Sequence, residues 1–403
     1  MVGSTLVNIV RAVIPHKTDR IPITFKTAPQ ALICYVPYLY LCYLARRPNT
    51  FIFRILALPV VILCIFTASY RFTWTHPSLN VYNWGQCFFA LIAVGRSFEM
   101  ALTRQGMLKN HENHSPSIST NNPSSKEPDG HPYTNGHNHN GHVTHQSNLS
   151  KAFGDAFDLA HTLRGLSYKF SRGAYIPPHT RPVASRRSFL VATISSFTMN
   201  YLALDILESF IKLLPNGIGT TEGGSIFLPP AFISTPLKRY AVSTFIHLLT
   251  GSALMAGFGM VYDLITLIAV GLFNSSPLSW PPMMENPWGA DSMHSFWSRR
   301  WHQFLRRTLI VLGGIPGSYL AGDIGMFFGT FIASGIFHEC SMYAMDRGLD
   351  LGGFAFFASQ GLFLILERLW RKVTGRRVGG WAGRLWVYLV IFIPGQALSG
   401  SCF

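Results

Sequence analysis

Charge is scarce in this chain: Asp, Glu, Lys and Arg make up 13% of its 403 residues, against 48% apolar residues and a positive mean hydropathy. That balance excludes an ordinary soluble domain, in which about a quarter of the residues are charged, and points to a polytopic membrane protein. Cysteines at metal-ligand spacing are also missing. All six, Cys34, Cys42, Cys64, Cys87, Cys340 and Cys402, fall in or beside apolar runs. They read as small buried hydrophobes, so neither a disulfide framework nor a cysteine nucleophile is supported, and no metal or bound cofactor is expected. No charged leader precedes the short apolar stretch Met1–Arg11 and no small-residue cleavage site follows it. An interfacial or lumenal segment is expected there rather than a cleaved signal. No internal repeat is visible, which weighs against a transporter built from two corresponding halves.

What the chain has instead is a series of apolar runs near the roughly 20 residues needed to cross hydrocarbon. They are Ala31–Ala45, Phe51–Tyr70, Val81–Leu102, Ser188–Phe210, Tyr240–Phe273, Leu309–Met345, Phe354–Trp370 and Leu385–Cys402. Tyr240–Phe273 and Leu309–Met345 are too long for one ordinary crossing. Each is either two helices with a tight turn, for which Gly257-Phe258-Gly259 and Gly313-Gly314-Ile315-Pro316-Gly317 are the obvious breakers, or one long tilted helix. The pattern predicts an all-α fold, a polytopic transmembrane bundle of about seven to nine helices. It divides into N-terminal helices over residues 1–108, a disordered loop over 109–150 and a second transmembrane region over 151–403, within one membrane domain.

The formal charge of +15 could suggest nucleic acid, but the basic residues lie at the ends of apolar runs and not on one soluble face. That is the positive-inside pattern. Arg46-Arg47, the interval Arg104 to Arg187, Arg299-Arg300 with Arg306-Arg307, and Arg368 to Arg384 are then cytosolic, and Arg71 to Asn80 and Pro215 to Pro236 lumenal. The assignment requires an odd number of crossings in each of the two long runs. The interval from Lys109 to Ser150 is rich in Asn, His, Ser, Pro and Gly, and cannot bury enough surface to offset its conformational entropy. Its tract His137-Asn138-His139-Asn140-Gly141-His142-Val143-Thr144-His145 has nothing to preorganise it as a metal site. Beyond it, Ala152 to Arg187 is basic and amphipathic, suited to lie against acidic headgroups.

Two polar islands interrupt the apolar pattern. The first is Ser292-Met293-His294-Ser295-Phe296-Trp297-Ser298-Arg299-Arg300-Trp301-His302-Gln303, reached through the turn-rich Trp280-Pro281-Pro282-Met283-Met284-Glu285-Asn286-Pro287-Trp288-Gly289. As a helix it would bring Phe296, Arg299, Arg300 and Gln303 three or four residues apart, and Trp297, Trp301 and Phe304 likewise. Arg299 and Arg300 suit the phosphates of a ligand such as coenzyme A, which guanidinium groups grip bidentately; each arginine taken singly suits a lipid phosphate equally well. The second island is His338-Glu339, deep in an apolar run. An ionisable pair there costs roughly 2–4 kcal/mol per charge in a bilayer and marks a functional site by default. Taken alone, a histidine so placed is more often a structural one bonded to a backbone carbonyl. Two such islands about thirty-five residues apart point to one reaction centre.

Together these motifs, Trp280-Pro281-Pro282, then Ser292-x-x-x-Phe296-Trp297-x-Arg299-Arg300-Trp301-His302-Gln303, then Ser334-Gly335-x-x-His338-Glu339, resemble the wax-synthase-like branch of the membrane-bound O-acyltransferases. They are similar in particular to fungal acetyltransferases of terpenoid and meroterpenoid clusters. The resemblance covers about residues 227–403 as ordered motifs. Members carry an acidic residue at the position of Ser295 and a glycine at that of Ser298, and plant members usually an asparagine at that of His302. The resemblance implies an integral membrane enzyme, expected in the endoplasmic reticulum. It would transfer an acyl group, with acetyl favoured, from acyl-CoA as co-substrate to the hydroxyl of a lipophilic terpenoid alcohol. It implies no obligate protein partner. On this reading His338 is the base that takes the hydroxyl proton, neutral because burial disfavours its charged form. His302 donates to the thioester carbonyl, and Glu339 orients the His338 ring or holds helix packing. Trp297, Arg299, Arg300, Trp301, Gln303 and Ser334 line the substrate site. The alternatives are a long-chain wax-ester synthase and, from another class, a proton-coupled transporter using His338-Glu339. Asp263, Asp323, Asp205, Glu99 with Arg96, and His247 either line a tunnel or pair across helices.

Overall fold

The computed structural model describes residues 11–113, 148–214, 218, 225–347 and 351–397. The His-rich tract and most of the expected disordered loop lie outside the described residues, as do the first ten residues and the end of the last apolar run. The described residues form helices joined by loops, with a two-residue parallel pair of β1 (Ile21–Pro22) with β2 (Phe72–Thr73). The all-α membrane-helical expectation is borne out. Among the described residues, five helical stretches are long and apolar enough to span: Ala28–Ala45, Phe51–Tyr70, Arg186–Lys212, Pro236–Gly271 and Arg306–Ala344.

In chain order these and their neighbours are α1 (Ala28–Ile33) and α2 (Val36–Ala45), α3 (Phe51–Tyr70), α4 (Asn80–Leu102) and α5 (Asn148–His161). Then follow α6 (Arg186–Lys212), α7 (Pro236–Gly271), α8 (Arg306–Ala344), α9 (Gly352–Thr374) and α10 (Gly380–Phe392). Local signals mark several boundaries. Ser185 accepts from the N–H of Ser188 at 3.3 Å to cap α6, Pro236 opens α7, and Gly375 in the left-handed region (φ 70°) closes α9.

The two long runs resolve differently. Gly257 and Gly259 do not break α7, which is one helix of 36 residues. In α8 the expected breaker at Gly313–Gly317 is not the turn either: Ile310–Gly314 is π-helical, and the backbone leaves helical geometry at Ala321 and at Gly322 (φ 54°, ψ −138°). The result is a hairpin, because Gly313 faces Gly329 and Gly317 faces Gly325 so closely that a Cβ on any of the four would collide with the carbonyl oxygen opposite. Small residues at four-residue spacing let two helices approach backbone to backbone where no hydrophobic force separates helix from lipid.

Contacts at the helix ends fix the directions. Arg46 reaches the Met107 carbonyl at 2.7 Å and Arg54 the Thr103 carbonyl at 2.9 Å, so α2 ends, α3 begins and α4 ends at one face. Asn80 reaches the Met345 carbonyl (3.2 Å) and Tyr70 that of Cys340 (3.2 Å) at the opposite face. The second arm of α8 therefore runs the depth of the bundle, and its tip returns to the first face, where Asp323 meets Arg368 of α9 at 3.1 Å. The first arm has about fifteen residues, or roughly 22 Å, short of the ~30 Å of hydrocarbon. It begins inside the bundle, where Thr308 and Leu312 press on Gly95 of α4. Of the two arms only the second, residues 323–344, has the length of a crossing, roughly 33 Å.

Candidate functional site

The segment before α8 is held in place by α9 and α10. Glu367 of α9 accepts from the backbone N–H groups of Met293 (2.6 Å) and His294 (3.0 Å), and from Nε1 of Trp386 at 3.1 Å. A carboxylate at the start of a helical turn meets unpaired N–H groups and the positive end of the peptide dipoles. Ser292 adds a side-chain cap to the N–H of Ser295 at 3.1 Å. The Oγ of Ser295 lies 3.2 Å from a carboxylate oxygen of Asp291.

From Phe296 to Arg300 the chain is π-helical, not α-helical: the N–H of Trp301 donates to the carbonyl of Phe296 at 2.8 Å, five residues back. This corrects the expected face of Phe296, Arg299, Arg300 and Gln303. Five-residue spacing stacks Phe296 on Trp301, with centroids 5.4 Å apart and planes at 21°. Such bulges recur at functional sites. Trp297 points inward and donates from Nε1 to Gln360 of α9 at 3.2 Å. Gln303 is buried, with Nε2 donating to the Trp301 carbonyl at 2.7 Å. The two arginines separate. Arg300 donates to the Asn286 carbonyl at 3.0 Å, tying down the Trp280 loop, while Arg299 is exposed with its guanidinium 5.5 Å from the Tyr175 ring. Tyr175 donates to Glu285, and that carboxylate raises the phenol's pKa.

His338 is partly buried on the second arm of α8. Its Nδ1 lies 2.7 Å from the carbonyl oxygen of Ser334, one turn back. A carbonyl only accepts, so Nδ1 carries the proton and Nε2 is left with a lone pair. Ser334 thus acts on His338 through its backbone. Glu339 is buried, and its Oε1 accepts from the N–H of Phe354 at the start of α9 (3.2 Å). The tautomer of the His338 ring is set by Ser334. His302 is partly buried, and its Nδ1 is buried with no partner among the described residues.

The two imidazoles share one chain of aromatic rings that closes on itself. His302 meets Phe258 of α7 (6.0 Å), which meets Trp84 of α4 (6.0 Å) and then Phe88 (4.8 Å). Phe88 meets Phe337 (5.2 Å), next to His338 (6.3 Å), whose ring stacks on Phe357 of α9 at 4.0 Å and 22°. Phe357 returns through Trp297 (6.2 Å) and Trp301 (6.4 Å) to His302 (5.2 Å). Four elements and the π-turn segment contribute to this collar. The sequence pointed to four of its rings, His302, His338, Trp297 and Trp301. It gave no signal for Trp84, Phe88, Phe258 and Phe357, which look like ordinary helix residues until the helices pack.

The remaining intramembrane polar residues mostly pair. Asp263 takes Arg181, Ser196 (2.6 Å) and Asn200 (3.2 Å); Glu99 takes Arg96 (2.5 Å) and Arg307 (2.6 Å from Nε); His247 meets the Ile391 carbonyl at 3.1 Å; Asp205 is exposed. Among the described residues no group of three or more His, Cys, Asp or Glu is placed to hold a metal ion.

Comparison with known proteins places this site in a family context. Residues 280–359, which carry the Trp280 loop, the π-turn and the His338 helix, match the profile of the membrane bound O-acyl transferase family. The chain is 27% identical over 253 residues to an O-mevalon transferase of Penicillium terrestre, covering 56% of this chain and 54% of that one. It is 25% identical over 220 residues to an acetyltransferase of Hericium erinaceus, covering 51% and 54%. It is 29% identical over 164 residues to an acyl-CoA–sterol O-acyltransferase of Arabidopsis thaliana, covering 36% and 47%. The chain spans about half the length of the curated relatives it matches. No solved structure matches. The resemblance read from the sequence, to membrane-bound O-acyltransferases and fungal acetyltransferases, is borne out.

Proposed function

We propose that this chain is an integral membrane O-acyltransferase that moves an acyl group, acetyl by preference, from acyl-CoA to the hydroxyl of a lipophilic alcohol of terpenoid type, in the endoplasmic reticulum membrane. The observation that carries this reading is the aromatic collar with two imidazoles in it, both within the residues that match the family profile. His338 acts through Nε2. As the alcohol oxygen attacks the thioester carbonyl carbon, its proton passes to that nitrogen, and the Ser334 carbonyl steadies the imidazolium through Nδ1–H. Charge growing on the carbonyl oxygen is met by His302, whose Nδ1 has no partner among the described residues to compete for it. The C–S bond then breaks, and the departing thiolate recovers the proton from His338. Apolar rings around both groups suit an acceptor that arrives from the lipid phase.

Coenzyme A is made in the cytosol, so the face that carries Arg46, Arg54 and Arg368 is taken as its side of entry. The test is expression in yeast microsomes with radiolabelled acetyl-CoA and long-chain acyl-CoA, against panels of terpenoid alcohols, sterols and fatty alcohols. Acetyl transfer to a polycyclic terpenoid alcohol is expected. Labelling of fatty alcohols from the long-chain donor alone would make the chain a wax-ester synthase, and esterified sterol would follow the plant relative. Absence of any ester product, with proton-driven uptake of a small organic molecule into vesicles, would replace the enzyme by a transporter.

A further inference from the structure

Arg164 lies in the loop between α5 and α6, just before Gly165 (φ 62°). Its neighbour Leu163 packs into the interior cluster with Cys87, Leu305 and Phe337, so this loop is drawn into the bundle beside the segment that carries His302. The guanidinium carbon stands 4.7 Å from the centroid of Phe304 and 5.6 Å from that of Tyr262. Both terminal nitrogens, Nη1 and Nη2, are buried and have no acceptor among the described residues. Other arginines drawn inside have acceptors: Arg46 has Glu112 and the Met107 carbonyl, Arg54 the carbonyls of Thr103 and Arg104, Arg96 has Glu99, and Arg181 has Asp263. Asp263, beside Tyr262 in sequence, is already taken by Arg181, Ser196 and Asn200.

A guanidinium does not shed its proton, and a buried charge without a counter-charge is strongly unfavourable. Aromatic rings engage the faces of the guanidinium, but its N–H bonds point along its edge and still call for acceptors in that plane. Parallel N–H groups on one edge match two oxygens of a phosphate. Tyr262 also bounds a cavity of about 130 Å³ shared with Trp280, Asn200, Arg181 and Met283, which leaves room for a flat group between aromatic and thioether walls.

We propose that Arg164 grips a phosphate oxyanion of the acyl donor, at its phosphorylated nucleotide end, next to the cavity bounded by Tyr262 and Trp280. The assignment rests on the acyl-CoA reading above. It moves the phosphate contact away from Arg300, whose guanidinium is bonded to loop carbonyls.

Arg164→Gln and Arg164→Lys, in the full chain, are compared with the parent using two donors, acetyl-CoA and S-acetylpantetheine, which lacks every phosphate. The expected result is a KM for acetyl-CoA raised about tenfold to a hundredfold in Arg164→Gln, the worth of one charge-assisted contact. Arg164→Lys recovers part of it, kcat stays within about twofold, and the KM for S-acetylpantetheine does not move. An acetyl-CoA KM within twofold of the parent in Arg164→Gln would overturn the proposal. So would an equal loss with both donors, which would make Arg164 structural. A loss seen only in vesicles of phosphatidylcholine with phosphatidylserine, alike for both donors, would assign the residue to a lipid phosphate and overturn it as well. If the parent transfers acetyl from neither donor, the acyltransferase reading fails by itself. Calorimetric binding of adenosine 3′,5′-bisphosphate to solubilised parent and Arg164→Gln then decides the phosphate contact: binding weakened in the variant supports it, and equal or absent binding overturns it.

Discussion

Replacing His338 separates chemistry from packing, because the proposed mechanism gives the two sides of its ring different tasks. Nε2 is the proposed base, while Nδ1 holds the Ser334 carbonyl at 2.7 Å and the ring face rests on Phe357 at 4.0 Å. Removing a general base costs about a hundredfold to ten-thousandfold in rate, or roughly 3–5 kcal/mol of barrier. The packing losses in His338→Ala are smaller, about 1 kcal/mol for the hydrogen bond and about 1 kcal/mol for the stacking. His338→Gln removes the base but keeps an amide that can donate to Ser334. Both variants are therefore expected to lose at least a hundredfold in acetyl transfer from radiolabelled acetyl-CoA in microsomes, with Gln melting closer to the parent than Ala does. Activity within twofold of the parent in either variant, normalised to protein inserted, would refute the assignment of the base.

Three further outcomes are expected. His302→Asn keeps substantial activity, since an amide still donates to a carbonyl oxygen, whereas His302→Leu falls by about a hundredfold; equal loss in both, in the microsomal transfer assay, would mean that this residue moves a proton. Arg46 holds Glu112 by two hydrogen bonds at 2.6 and 2.8 Å and lowers its pKa from 4.5 to about 2, so the pair stabilises the fold above about pH 4.5 and loses that contribution as pH falls through about 2. The melting advantage of the parent over Glu112→Gln should then be full at pH 6 and vanish near pH 2, and an advantage that grew on acidification would reverse the sign of the argument. For topology, His294 is the reporter, because it is exposed in the segment before the π-turn. His294→Cys should be labelled by an impermeant thiol reagent in sealed, cytosol-side-out microsomes above the background of the parent, and labelling only after the vesicles are opened would place the loop on the other side.

Hydropathy alone located most of the helices, because a run such as Phe51–Tyr70 has the length of a crossing and starts and stops where its apolar residues do. It also flagged His302 and His338, since ionisable side chains stand out in an apolar sequence. The course of α8 was harder to read. Its glycines look like breakers in one dimension, but they are the contact surface of two arms in three, and the turn falls at Ala321–Gly322 instead. Helical spacing failed across Phe296–Arg300 because π-geometry adds a residue to the turn, which no local propensity announces. Arg164 was invisible for another reason: an arginine in a basic, amphipathic stretch is unremarkable until packing removes both of its terminal nitrogens from water.

The closed aromatic collar also bears on what the proposed catalyst does not do. Water is a competing nucleophile for any thioester, is far more abundant than a membrane alcohol, and would be activated by the same imidazole. Rings from α4, α7, α8, α9 and the π-turn offer a water molecule few partners beyond the two histidines, and a site without polar partners holds water poorly. On the acyltransferase reading, the ratio of ester formed to thioester hydrolysed then depends on these rings as well as on the base. On that reading a small polar residue at Phe88, which meets neither histidine directly, is expected to shift ester formation toward hydrolysis with both imidazoles in place.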